Sequence, residues 1–348
     1  MGINTDIHVL GIETSCDETS AAVVGARGKI LSNAISSSLA MHKKYGGVIP
    51  EIASRMQLEL ICKVVDYALK EAGVSSKNID VISVTSGPGL MGSLAVGISF
   101  AKALSLALGI PLLGINHLNS HIIANFLTTQ TSRGNKKGLN KTPGLLKSLP
   151  FLALVVSGGH TSLMYLRDID NIEVIGSTQD DACGEAFDKV AKILGLGYPG
   201  GPVIERLARN GNPNKIKFRC SNTDRPLDFS FSGIKTAVLY AAKAKTLSLK
   251  EKKDIAASFQ EAVCDTLVRK SILACKMKRA KRLFIGGGVI ANNRLREKFY
   301  AQMQKEQIEV YFPPASLCTD NASMVAGLGY LLFQKGYRDS LDLTATLN

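Results

Sequence analysis

A strand, a polar turn and a returning strand occur twice in this chain, and few folds accommodate such a repeat. The first copy runs from Val9 to Val24 around IETSCDET and the second from Leu152 to Leu166 around VSGGHTS. His8 to Gly11 and the alternating segments Ser20 to Val24 and Lys29 to Ala34 read as strands, with Glu13 to Thr19 as the first turn. Helical spacing predicts helices over Pro50 to Ala72, stopping near Gly73, and over Gly92 to Leu108. Buried strands fall at Val81 to Thr85 and Leu112 to Ile115. The second series has strands at Phe151 to Ser157, Ser162 to Leu166 and Leu283 to Ile285, and helices over Gly184 to Leu194, after Gly201, after Lys250 and after Asn292. Two α/β lobes with a ligand cleft between them are expected. At 348 residues the chain has material for two ordinary cores, which excludes a mini-domain.

Met1 to Asp6 has neither a basic n-region nor an apolar h-region, so a cytoplasmic protein is expected. Seven cysteines without a C-x-x-C pair argue against a disulfide framework or a cysteine zinc site. Leu90 to Ile115 has the length of a membrane span, but Lys102 at its middle and Gly109-Ile110-Pro111 near its end predict a buried helix followed by a strand. No membrane association is expected. The net charge of +13 is localised. Thr128 to Lys147, with Arg133, Lys136, Lys137, Lys141 and Lys147, carries +5 and reads as a surface loop. Ala241 to Arg282 carries +8 and reads as a helix with apolar positions Ile255, Ala256, Phe259, Val263, Leu267, Ile272 and Leu273. A solvated basic surface and a face for backbone phosphates both fit this distribution.

His117 and His121 stand four apart in NHLNSH, so on a helix they share a face and can share an ion if a carboxylate arrives from elsewhere. A polar helix face fits the same spacing, and the Glu of H-E-x-x-H is missing. Ser157-Gly158-Gly159-His160 between two strands, and Gly286-Gly287-Gly288 before a helix, leave backbone amides unobstructed for an anion. Neither matches the P-loop or dinucleotide fingerprint. Cys16-Asp17-Glu18-Thr19 places two carboxylates in the first turn, as a local Asx turn or as polar groups directed at a phosphate or an attacking amine. A Ser157–His160 nucleophilic pair is conceivable, but G-x-S-x-G is absent.

GIETSCDETSAAVV, HKKYGGVIPEIASR, TSGPGLMGSLAVG, NHLNSH, VSGGHTSL, DDACGEAFDKVAKILGLGYPGGP, DFSFSGIKT, GGGVIANNRLR and CTDNASMVA resemble, in order, the motifs of the tRNA threonylcarbamoyladenosine transferases, the TsaD family once called O-sialoglycoprotein endopeptidases. The resemblance runs from about His8 to Gly336. It implies an α/β, actin-like, duplicated two-lobe fold with a central cleft, of the type shared by Hsp70 and sugar kinases. The lobes would span 1–127 and 150–348, joined by the basic loop 128–149, with the final helix packing back on the first lobe. The implied reaction transfers threonylcarbamoyl from threonylcarbamoyl-AMP to N6 of the adenosine 3′ to the anticodon in tRNAs reading ANN codons, forming t6A and releasing AMP.

Carried over by motif, the metal ligands fall on His117, His121 and Asp320, with Fe2+ or Zn2+ as the ion. The adenylate-binding positions fall on Val155, Val156, Ser157, Gly158, Gly159, Asp188, Gly201, Glu205 and Asn292, and the pair near the reacting centre on Asp17 and Glu18. A mixed anhydride has a good leaving group, so no protein nucleophile is needed. Ser157 is then a binder and Cys16 a structural neighbour. Implied partners are tRNA, a paralogous actin-like subunit of the TsaB type and a small P-loop ATPase of the TsaE type. The chain departs from the family pattern at Gln57, where His is common, and at Asn119-Ser120 between the histidines. The competing classes are an actin-like ATPase or small-molecule kinase, which does not need His117, His121 and Asp320 together, and a non-catalytic tRNA-binding scaffold.

Overall fold

In the computed structural model, which describes residues 7–128, 144–243 and 247–347, the aliphatic run VLGIE forms strand β1 (Val9–Glu13) with every side chain buried. β2 (Glu18–Gly25) returns antiparallel to β1, and β3 (Lys29–Ser37) returns antiparallel to β2 as the edge. After the short α1 (Leu39–His42) comes α2 (Pro50–Ala72), which starts on a proline and ends where Gly73 turns left-handed at φ 66°. β4 (Val81–Gly87), α3 (Met91–Leu108) and β5 (Leu112–Asn116) add two parallel strands, so the sheet runs β3-β2-β1-β4-β5. α4 (His117–Ile123) follows β5 directly.

The second sheet repeats this wiring. After α5 (Leu145–Ser148), β6 (Phe151–Val156), β7 (Thr161–Asp168) and β8 (Asn171–Ser177) pair antiparallel in turn. α6 (Cys183–Ile193), α7 (Gly200–Ala208), α8 (Ser232–Lys243) and α9 (Leu249–Lys278) precede β9 (Arg282–Gly286), α10 (Asn293–Lys305) and β10 (Glu309–Tyr311). β9 lies parallel to β6 and to β10, giving the order β10-β9-β6-β7-β8. β6 through β10 therefore occupy the places of β1 through β5, and the two polar turns are topological equivalents. Each unit is an α/β layer structure of the kind the repeat predicts.

The chain divides into Met1–Gly144 together with Thr319–Asn348, and Leu145–Cys318. α11 (Ala322–Gln334) belongs to the first unit and lies on β1 and β2. Gly11 permits this, because a Cβ there would stand 2.3 Å from the Ala322 carbonyl oxygen. The first core is mostly aliphatic, around Leu10, Ile12, Ile82, Leu94 and Leu112. The second is built on Phe229, Phe231, Phe259 and Phe299, all fully buried.

Several expectations change in detail. The first turn is only Thr14 to Asp17, since Glu13 ends β1 and Glu18 begins β2. β8, α8 and the three-residue β10 had no periodic signal strong enough to read. α3 has the length and hydropathy of a span, yet it packs on α2 and β4, burying Ser93, Leu94, Gly97, Ile98, Ala101 and Ser105 while Leu106 stays 70% exposed. The expected buried helix is thus buried on one face. Arg133, Lys136, Lys137 and Lys141 of the basic loop lie outside the described residues. Part of the second basic segment is engaged within the fold. Lys270 is 3% exposed and donates to Thr223 Oγ1 and to the carbonyls of Pro226 and Asp228, while Lys276, Lys278 and Arg282 pair with Glu306, Glu173 and Glu309.

Candidate active site

Asn116 caps α4 by accepting the Asn119 amide at 3.0 Å, which starts the helix on the last residue of β5 and puts His117 in its first turn. His121 lies one turn on, with its ring edge-to-face at 4.7 Å from that of His117. Asp320 comes from the other end of the chain. Asn321 caps α11 through the Met324 amide, and the Ala322 amide donates to Ser20 Oγ at 2.9 Å, so the residue before the helix is delivered to the β1–β2 end of the sheet. Asp320 Oδ1 stands 3.1 Å from His121 Nε2 and 3.6 Å from His117 Nε2.

One donor atom from each of the three residues lies within 4.8 Å of the others. Two donors about 2.1 Å from a common ion sit about 3 to 3.5 Å apart, so the spacings to Asp320 suit a shared ion. His121 supplies the independent sign. It is 0% exposed, and neither ring nitrogen has a hydrogen-bond partner among the described residues; the short approach to Asp320 lacks hydrogen-bond geometry. A buried polar atom without a partner is costly, and a coordinated cation would satisfy it. The cluster could hold a metal ion.

Behind His117 stands Glu13, to which no role was read in the sequence. It is fully buried, and its carboxylate accepts from the Ser15 amide (2.5 Å), from Thr85 Oγ1 (2.6 Å) and from His117 Nδ1 (3.0 Å). Burial alone would raise its pKa, but attraction to His117 and the bonds from His117 and Ser15 hold the carboxyl below its usual value. Burial likewise opposes charge on His117, yet Glu13 and Asp320 outweigh it and push the imidazole up to about 9. The signal available in the sequence was a single acid closing an otherwise apolar strand.

Asp17 and Glu18 project from a turn that is fixed from below. Gln57 of α2, 1% exposed, donates from Nε2 to the carbonyls of Cys16 (2.9 Å) and Glu18 (3.0 Å), and Leu90 donates its amide to the Ser15 carbonyl. The carboxamide at this departure from the family pattern thus braces the acidic turn. Burial, then repulsion from Asp320 and Asp17, pushes Glu18 up to about 10, so it holds a proton at neutral pH. Burial and the neighbouring carboxyls also push the Cys16 thiol well up, which leaves it inert as a nucleophile.

In the second unit, the equivalent turn follows β6, where Val155 and Val156 are buried. Ser157 and His160 close it through one backbone bond, from the Ser157 amide to the His160 carbonyl, and through the Ser157 hydroxyl, which accepts the His160 amide. The Ser157 and Gly158 carbonyls accept from the first amides of α6, whereas a Cβ at Gly158 or Gly159 would meet nothing within 4 Å. Asp188 of α6 accepts the Gly200 amide at 2.6 Å beside Gly201, and Glu205 of α7 accepts from Asn293 at 2.9 Å. Asn292 caps α10 through the Leu295 amide and donates to Gln260 at 2.8 Å, which leaves one amide hydrogen for a ligand. Gly287, at φ 95°, presses the glycine run against the Val156 carbonyl, where a Cβ would lie 2.4 Å away. Ser157, Gly158, Gly159, Asp188, Gly201, Glu205 and Asn292 thus all belong to the second unit, on the turn after β6, on α6 and α7, and at the cap of α10.

The family profile described as tRNA N6-adenosine threonylcarbamoyltransferase matches residues 29–327. The protein of that name from Clostridium kluyveri is 48% identical over 99% of this chain and 98% of its own length. Its counterpart from Symbiobacterium thermophilum is 48% identical over 97% and 95%. This chain belongs to the tRNA N6-adenosine threonylcarbamoyltransferase family. As a threonylcarbamoyltransferase of this kind it is an acyltransferase in t6A formation, and the kinase and scaffold readings are not favoured. Among solved structures, HypF of T. kodakarensis superimposes with a TM-score of 0.59 at 14% identity, covering 99% of this threonylcarbamoyltransferase and 50% of HypF. That likeness supports the actin-like fold alone.

Proposed function

We propose that the chain transfers threonylcarbamoyl from threonylcarbamoyl-AMP to N6 of the adenosine 3′ to the anticodon in tRNAs reading ANN codons. The observation that carries the proposal is the convergence of His117, His121 and Asp320, with Asp320 close enough to repel the Glu18 carboxylate. N6 attacks the carbamoyl carbon, the bond to the adenylate phosphate oxygen breaks, AMP leaves, and the amine proton passes to a base. A neutral Glu18 is a donor, so Asp17 is the proposed acceptor, with Glu18 orienting it. The open Gly158 and Gly159 amides and Ser157 are proposed to bind the phosphate, with Asp188, Gly201 and Glu205 at the ribose and Asn292 at the base. A divalent ion, Fe2+ or Zn2+, held by His117, His121 and Asp320 would polarise the donor oxygens.

The proposed setting is cytoplasmic, with a TsaB-like paralogous subunit and a TsaE-like ATPase as partners. What supports a protein partner is the apolar surface between α2 and α3, where Leu58 lies beside Val96 and Phe100 and is 68% exposed, with Leu106 further along α3 at 70%. Reconstitution with an adenylate-forming enzyme, both partners and unmodified tRNA, read by nucleoside mass spectrometry, should yield t6A, and the His117→Ala/His121→Ala variant should lose both product and bound metal. Absence of t6A with the other components active, or unchanged metal content in the variant, would overturn the respective part.

A further inference from the structure

We propose that Glu13 is a positioning residue that sets the tautomer of His117, so that Nε2 carries the lone pair toward Asp320 and His121. The inference rests on the metal-centre reading above. Glu13 Oε2 lies 3.0 Å from His117 Nδ1, and the residue at that nitrogen decides which ring atom holds the proton. Two groups compete for it. Ser15 Oγ is also in reach at 3.2 Å, but a hydroxyl both donates and accepts, and a hydroxyl donating to Nδ1 would leave the proton on Nε2, where it blocks coordination. An ionised carboxylate can only accept. It also accepts from the Ser15 amide and Thr85 Oγ1, donors that fix the carboxylate and compensate its burial. The carboxylate therefore keeps the proton on Nδ1, so Nε2 is the nitrogen left to give up its proton and bind an ion.

The contrast with His121 sharpens the assignment. His121 Nδ1 has no hydrogen-bond partner among the described residues, so no protein group fixes that ring's tautomer. His117 is the preset ligand and His121 the adaptable one. Outer carboxylates of this kind strengthen metal binding by about ten- to a hundredfold in other proteins.

The test uses the full chain stripped of metal and titrated with Co2+ against a chelator. Glu13→Gln, which keeps volume and can donate to Nδ1, should weaken Co2+ binding by about ten- to a hundredfold with an unchanged circular dichroism spectrum. Affinity within about twofold of wild type would overturn the proposal. If wild type itself bound no Co2+, the metal centre would fall and Glu13 with it, whereas tight binding by both proteins sinks Glu13's role alone. A measurement without any variant decides the matter if Glu13→Gln does not fold. In the Zn2+-loaded wild type, 15N-imidazole NMR should show the His117 proton on Nδ1, and a proton on Nε2 would refute the assignment.

Discussion

Asp181, at the start of the DDACGEAF segment, is 12% exposed between Lys189 (2.6 Å) and Lys235 (2.8 Å), and it shows how a buried acid is tied into this fold. Burial would raise its pKa, but the hydrogen bonds and charges of both lysines hold the carboxyl below its usual value. A depressed folded-state pKa means that the stabilisation is complete above the unfolded value near 3.8 and is lost as pH falls through the folded one. Asp181→Asn should therefore lower unfolding free energy by about 1 kcal/mol at pH 7, a figure kept small because Lys189 is more than a third exposed. In urea titrations the gap to wild type should hold from neutral pH to about pH 5 and close below about pH 4. A gap independent of pH would show that packing, not charge, ties Asp181 in. At the same scale, Glu13 and Gln57 are buried polar side chains whose partners are backbone groups, one threonine hydroxyl and one imidazole; neither could be told from a surface residue by type alone.

Helices position the side chains of the candidate metal cluster. α4 starts directly after β5, and α11 starts two residues after Asp320, so both ends of the cluster inherit the rigidity of helices seated on one sheet. The seat of α11 depends on Gly11. Alanine there would put a methyl 2.3 Å from the Ala322 carbonyl and 2.8 Å from Ala326 Cβ, contacts that backbone cannot absorb without moving the helix. Gly11→Ala should cost about 1 to 3 kcal/mol in thermal or chemical unfolding. It should also weaken Co2+ binding, although Gly11 contacts no ligand. Full metal affinity in a destabilised Gly11→Ala variant would separate helix seating from ligand placement. The equivalent element in the second unit is α6, whose first amides grip the Ser157 and Gly158 carbonyls and hold the anion turn open.

At the scale of the molecule, the net +13 divides differently from its distribution along the chain. Lys270, Lys276, Lys278 and Arg282 of the +8 segment are spent inside the fold or in ion pairs, so the basic loop with Lys136 and Lys137 is the first candidate to test for tRNA phosphates. Lys136→Glu/Lys137→Glu should reduce tRNA affinity and flatten its salt dependence, whereas Lys278→Glu, which loses its pair with Glu173, should change stability by under about 1 kcal/mol and leave the salt slope unchanged. Equal salt slopes for all three proteins would return the loop to a solvated surface.

The duplicated strand–turn–strand pattern, the helix over Pro50–Ala72 and the ordered motifs were legible in the chain because periodicity and glycine punctuation are local properties. They determined the α/β class and, through the motifs, the family, and they singled out His117, His121 and Asp320, which the fold brings together. What only the tertiary structure decided was how side chains far apart in sequence meet. Glu13 meets His117 across 104 positions, Gln57 braces Cys16 and Glu18 from another helix, and Lys270 is drawn inward from an apparently basic face. The physical reason is that hydrogen-bond satisfaction and the pKa of a buried group are set by neighbours in space, which no residue type or spacing encodes by itself.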